Sequence, residues 1–156
     1  MKVRDFYSPK VVLGEPGASL REAALLMRNQ HVGALVVVEK KEGVVRPVGI
    51  LTDRDIVVAV VAVPGARPEG IRVADAMSTE LAVAQEDDGI FEAVQRMSER
   101  AVRRLPVVAA DGSLKGIVTL DDVLRVISTE LAQLAEALRW GRMREREKRA
   151  PLQAPP

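Results

Sequence analysis

The 156-residue chain has no cysteine, which excludes disulfides, thiolate metal sites and cysteine nucleophiles. That absence fits a reducing compartment, so the expected location is the cytoplasm. A single histidine, His31, cannot build a histidine-rich metal site. It falls at a predicted helix end, where a dipole role or plain exposure is expected rather than chemistry. Aromatic residues make up 3% of the chain, too few to sandwich a base between rings. Excess charge of one sign is also missing: 23 basic residues face 22 acidic ones, for a net charge of +1. This balance gives no general electrostatic case for nucleic acid or a membrane surface. The N-terminal "MKVRDFYSPK" has no apolar core of a signal peptide. The run "IVVAVVAV" (56–63) is too short to span a bilayer and is closed by Pro64. No histidine pair or convergent carboxylate cluster supports an enzyme. Asp121 and Asp122 are adjacent, and neighbours on a helix point in different directions.

What remains is globular: 47% apolar and 29% charged residues, enough for one compact domain or two small fused ones. The chain repeats itself. Shifted by 70 residues, "VRDFYS" (3–8) lies over "VADAMS" (73–78), "LREAALLM" (20–27) over "IFEAVQRM" (90–97), and "VGALVVV" (32–38) over "VRRLPVV" (102–108). The phrase "GILTDRDI" (49–56) returns 67 residues later as "GIVTLDDV" (116–123). The difference lies in a connecting loop, where length varies freely. A tandem repeat of this kind governs the fold.

Each copy reads β-α-β-β-α. A short extended piece, "KVVLG" or "ELAVA", precedes a helix. Ser19 and Glu22 fit a capping box at the first of these helices. Leu20, Ala23, Ala24 and Met27 share one helical face, as do Ile90, Ala93, Val94 and Met97. Two apolar strands follow, "ALVVVE" with "PVGILT" and "LPVVAA" with "KGIVT", the second pair joined by the turn signal "DGS". The β-branched run "DIVVAVVAV" has strand propensity by itself. Its counterpart "DDVLRVISTELAQL" is helical in pattern, so the repeat predicts a helix over 53–62.

The repeated T-x-x-D has two readings. Thr52 and Thr119 serve as N-caps, with Asp55 and Asp122 favoured in the first turn by the helix dipole. The same helix start also leaves amides for a phosphate, and the aspartate can accept hydrogen bonds from ribose hydroxyls.

Two β-α-β-β-α copies, each closing on G-I-x-T-x-x-D-[IV], resemble a tandem pair of CBS (cystathionine β-synthase) domains, a Bateman module. The resemblance covers about residues 3–128. It implies two α/β repeats packed sheet to sheet with pseudo-twofold symmetry, a first domain at 3–63 and a second at 73–128. It also implies two clefts for adenosine compounds: AMP, ADP, ATP or S-adenosylmethionine. Carried over, Thr52 and Asp55 belong to the first cleft, Thr119 and Asp122 to the second. The copies differ around these residues. Arg103 and Arg104 precede one strand where Gly33 and Ala34 precede the other, and Arg54 stands where the second copy has Asp121. Arg suits phosphate through its bidentate fork. The expectation is therefore an asymmetric module. Thr52, Arg54, Asp55, Arg103 and Arg104 complete one site for a phosphate-bearing nucleotide. Thr119, Asp122, Gly33 and Ala34 form a weaker one, empty or holding an uncharged adenosine moiety. Val12, Leu13, Val36, Val37 and Ile50 are expected to line the adenine pocket.

From Leu124 the apolar residues Ile127, Leu131, Leu134 and Leu138 follow at spacings of three and four, a short heptad seam. They predict a helical extension over 129–147, with a disordered tail at 148–156. The module itself, the N-terminal segment and a second chain are the three candidates to cover the seam. Related modules dimerise through helices, which favours a homodimer. Residues 139–149 carry a local charge of +4, read first as a solvated helix end and second as a contact for nucleic acid or an acidic partner. The leading functional expectation is a stand-alone regulatory sensor of an adenine nucleotide that signals to an unknown effector protein. The alternatives are a ligand-free dimeric scaffold, and a nucleic-acid binder acting through the basic tail.

Overall fold

The structure, a computed structural model, describes residues 1–148, with side chains through Glu145. The expected tail beyond Lys148 lies outside the described residues. Two three-stranded sheets form the framework. The first holds β1 (Leu13–Gly14), β2 (Ala34–Lys41) and β3 (Val44–Thr52), and the second holds β4 (Ala84–Gln85), β5 (Arg104–Val108) and β6 (Leu114–Thr119). In each sheet the first strand runs parallel to the second, and the second pairs antiparallel with the third. Both middle strands carry a bulge at the same place, Val37/Val38 and Val107/Val108. The edge strands are only two residues long, shorter than "KVVLG" and "ELAVA" suggest. Their first residues instead border the clefts described below.

Helix α1 (Leu20–Gln30) and helix α4 (Ile90–Glu99) bury Leu20, Ala23 and Met27, and Ile90, Ala93 and Met97, against their sheets. The Ser19–Glu22 box closes as expected: the Glu22 amide donates to Ser19 Oγ at 3.2 Å, and the Ser19 amide donates to Glu22 Oε2 at 2.7 Å. His31 caps α1 in the left-handed region with φ 54°, and Ala101 takes the same conformation at the end of α4 with φ 51°. The run predicted as helix over 53–62 is helical in two parts. Helix α2 (Asp53–Ile56) widens into a π turn over Val57–Val61, with the Ala62 amide donating to the Val57 carbonyl at 3.1 Å. β-branched side chains crowd the preceding turn of an α-helix, and a wider turn relieves that crowding. A short helix α3 (Val73–Ala76) follows, and helix α5 runs unbroken over Leu120–Lys148. Among the described residues, no helix is long and apolar enough to cross a membrane.

The two cores do not follow the boundaries of the repeats. Val3, fully buried, sits in the core of the second repeat with Ala84, Leu105, Val107 and Val118. Val73, also fully buried, sits in the core of the first with Leu20, Leu35, Val37 and Leu51. Each repeat thus lends its opening segment to the other. The exchange is locked by paired bridges. Ser8 and Ile117 exchange two backbone hydrogen bonds of 2.9 Å, and Ile50 and Ser78 do the same at 2.9 and 3.1 Å.

This crossing explains the glycine of the repeated phrase. A Cβ on Gly116 would lie 2.3 Å from both the Ser8 carbonyl oxygen and the Tyr7 ring, and one on Gly49 would lie 2.7 Å from Met77 Sδ and 2.9 Å from the Ser78 carbonyl oxygen. Only glycine leaves room for the exchanged segment. The matching bridges also relate the repeats by a pseudo-twofold axis, with β3 and β6 in contact across it.

Candidate functional site

Thr52 ends β3 and starts α2. Its amide and its hydroxyl both donate to Asp55 Oδ2, each at 2.7 Å, and the Asp55 amide donates back to Thr52 Oγ1 at 3.2 Å. Thr119 and Asp122 repeat the arrangement, with the hydroxyl donating at 2.6 Å and the amide at 3.0 Å. The capping reading of T-x-x-D therefore holds in both copies. It fixes each carboxylate through one oxygen.

The other oxygen separates the copies. Arg125 pairs with Asp122 Oδ1 one turn along α5. The equivalent position in the first copy is Val58, which has no charge to offer. Asp55 Oδ1 makes no hydrogen bond or ion pair with the described residues, so it can accept one from a ligand.

Asp55 borders a cleft of about 340 Å³, within the range of small-molecule sites, about 300–1,000 Å³. Thr52, Arg54 and Asp55 from the first repeat line it together with Arg103 and Arg104 from the second. The five residues expected to share a site are thus adjacent. Among the described residues, no ion pair engages Arg54, Arg103 or Arg104. Acids are present too: Asp53 and Glu80. Asp53 Oδ1 accepts the Arg54 amide at 2.8 Å, and its other oxygen lies over Gly33. The apolar wall is made by Ile50, Leu81, Ala82 and Val102.

A second cleft of about 250 Å³ is lined by Thr119, Ile117, Gly33, Ala34, Val12 and Val36, with Lys10 and Arg104 at its border. Two expectations change here. The second cleft is not without cations, because Arg104 lies between the clefts and Lys10 takes the place that Glu80 holds in the first. Asp122, held by Arg125, is not among its lining residues. The expected adenine wall also divides: Ile50 belongs to the first cleft, and Val12 and Val36 to the second. Val37 points into the core of the first repeat and is fully buried, and Leu13 is exposed at the sheet edge; neither lines either of these two clefts. Alternation along a strand sends neighbours to opposite faces, so Val36 and Val37 cannot share a pocket. Ser78, Glu80, Leu81 and Ala82 escaped the sequence reading. Shifted by 70 residues they lie over Ser8, Lys10, Val11 and Val12, which is the signal that could have found them.

The CBS domain model matches the chain twice, over residues 3–62 and 73–129. The chain belongs to the CBS domain family. Among curated relatives, it is 36% identical over 129 residues to an uncharacterized protein of Methanopyrus kandleri, a match covering 83% of this chain and 64% of that protein. It is 38% identical over 121 residues to the CBS domain-containing protein YhcV of Bacillus subtilis, covering 78% of this chain and 81% of YhcV. The chain therefore spans less than two thirds of the Methanopyrus relative. Among solved structures, the CBS domain pair of protein MJ0100, in complex with 5′-methylthioadenosine and S-adenosyl-L-methionine, superposes with a TM-score of 0.70 at 25% identity, covering 83% of this chain and 98% of that one. The cytosolic domain of the Mg2+ channel MgtE, in complex with ATP, superposes at 0.67 with 29% identity, covering 80% of this chain and 48% of that one. The fold is a tandem CBS pair with a long C-terminal helix.

Proposed function

We propose that this CBS pair is a regulatory module that binds a phosphate-bearing adenosine nucleotide (AMP, ADP or ATP) in the first cleft. The observation that carries this reading is the meeting, in one cleft, of an Asp55 carboxylate oxygen and three guanidinium groups that have no hydrogen-bond or ion-pair partner among the described residues. The carboxylate suits the vicinal hydroxyls of a ribose. The arginines suit the phosphate. Ile50, Leu81, Ala82 and Val102 offer an aliphatic slot for adenine, and the adenosine ligands and ATP seen in structural relatives agree with that chemistry. The second cleft is smaller, and Asp122, paired with Arg125, does not line it, so it binds an adenosine compound more weakly or not at all.

Binding across two repeats couples ligand to shape. Thr52 and Arg103 belong to different repeats, so a nucleotide that bridges them favours one arrangement of the pair over others. An effector protein that reads this arrangement would receive the signal. The module acts as a homodimer that pairs through its helices.

The test is phosphate discrimination. The protein is expected to bind AMP at least tenfold more tightly than adenosine. Arg103→Ala and Arg54→Ala are each expected to narrow that ratio, since a hydrogen bond to a charged group contributes about 1.5–3 kcal/mol. Equal affinity for adenosine and AMP in the unmodified protein would overturn the assignment.

A further inference from the structure

Helix α5 continues well past the second repeat, and its leucines lose their partners as it does so. Ile127 still packs against the second core. Leu131, Leu134 and Leu138 are 60%, 62% and 66% exposed. They fall on one seam, three and four residues apart, with Gly141 next in the same register. A continuous apolar stripe of this kind marks an interface. The charges say what covers it. The half of α5 nearer the module carries Asp121, Asp122 and Glu130 against Arg125, and the far half carries Arg139, Arg142, Arg144, Arg146 and Lys148 against Glu136, Glu145 and Glu147, so the first half is net acidic and the second net basic. The stripe is thus flanked by acid at one end and base at the other.

We propose that the stripe pairs with α5 of a second copy of this chain, and that the two helices run antiparallel. A parallel pair in register would hold the two net-acidic halves together and the two net-basic halves together. An antiparallel pair sets acid against base at both ends. One register does this while keeping to the part of the helix that the module leaves exposed. Leu134 then packs on the partner's Leu138, Leu131 covers the partner's Gly141, and Glu130 faces the partner's Arg144. Each contact occurs twice about a twofold axis. Ala135 and Ala137 flank that axis, and their small side chains let the helices close. The two modules then sit at opposite ends of a short two-helix rod. This deepens the homodimer reading above by naming the surface and its polarity.

The chain has no cysteine, so introduced thiols report cleanly. Full-length Glu130→Cys, Arg144→Cys and the double variant are treated with a short bis-maleimide, alongside light scattering. The double variant is expected to give covalent dimer and the single variants little. Efficient cross-linking of each single variant would show a parallel pair and overturn the proposal. A dimer in solution with no cross-link in any variant would also overturn it, while leaving the homodimer itself intact. A monomer would overturn both, and a monomer that sediments with phosphatidylserine vesicles would assign the stripe to lipid. As a second arm, Glu130→Arg is expected to weaken self-association by about tenfold. Adding Arg144→Glu in the same chain restores it, and failure of that rescue would contradict the Glu130–Arg144 pairing.

Discussion

Asp55 and Asp122 hold equivalent places and make the same cap, yet they differ in what else they touch. Either Asp→Ala substitution removes a capping partner and is expected to cost about 1 kcal/mol in a denaturant titration. Asp55→Ala should also abolish nucleotide binding, whereas Asp122→Ala should leave the first cleft's affinity within a few-fold. Equal effects of the two on binding would contradict the asymmetry. The glycines of the same phrase make a separate prediction. Gly116→Ala drives a methyl group into the Ser8 backbone and the Tyr7 ring and is expected to destabilise by about 2–3 kcal/mol. Gly49→Ala meets a flexible methionine as well as backbone and should cost less. At this scale the sequence was informative where residues repeat. It was misleading where one residue was judged without its copy: Val37 looked like a pocket residue until the strand's alternation placed it in the core.

Among the elements, the exchanged segments have the largest consequence. Val3 belongs to the first repeat by sequence and to the second by packing. Lys2 and Arg4 reinforce the docking through ion pairs with Asp87. Val3→Ala is expected to cost about 2 kcal/mol and to raise amide exchange in β5 and β6 before β2 and β3. The opposite order of exchange would contradict the exchange of segments. The repeat shows that "VRDFYS" and "VADAMS" are equivalent, but no local pattern says which core receives them, because crossing is a long-range choice. The helix at 53–56 was legible only through its better-patterned copy, and its π turn was not legible at all. Glu22 contributes a pH dependence at this scale. Hydrogen bonds from the Ser19 amide and hydroxyl hold its carboxyl below the ordinary value for a glutamate. A depressed acid stabilises the fold above its unfolded-state pKa, and that stability is lost as pH falls through the lower folded-state value. Glu22→Gln should therefore lose least stability relative to the parent at low pH, and the two denaturation midpoints should converge there.

For the whole molecule, two near-copies close two clefts of unequal chemistry. The fold class was legible from the tandem repeat together with the family resemblance it carries, and that resemblance is what set Thr52 and Asp55 opposite Arg103 and Arg104. The division of the aliphatic residues between clefts was not, because it depends on how the repeats cross. Nor was the position of Arg104 between both clefts, or the Arg125 contact that occupies Asp122. The measurement that bears most directly on the account is calorimetric titration of nucleotide-free protein with AMP, ADP, ATP and S-adenosylmethionine, with Asp55→Ala in parallel. The account predicts one strong site per chain, for a phosphate-bearing ligand, lost in the variant. Two equal sites per chain, or no heat from any of the four, would contradict it.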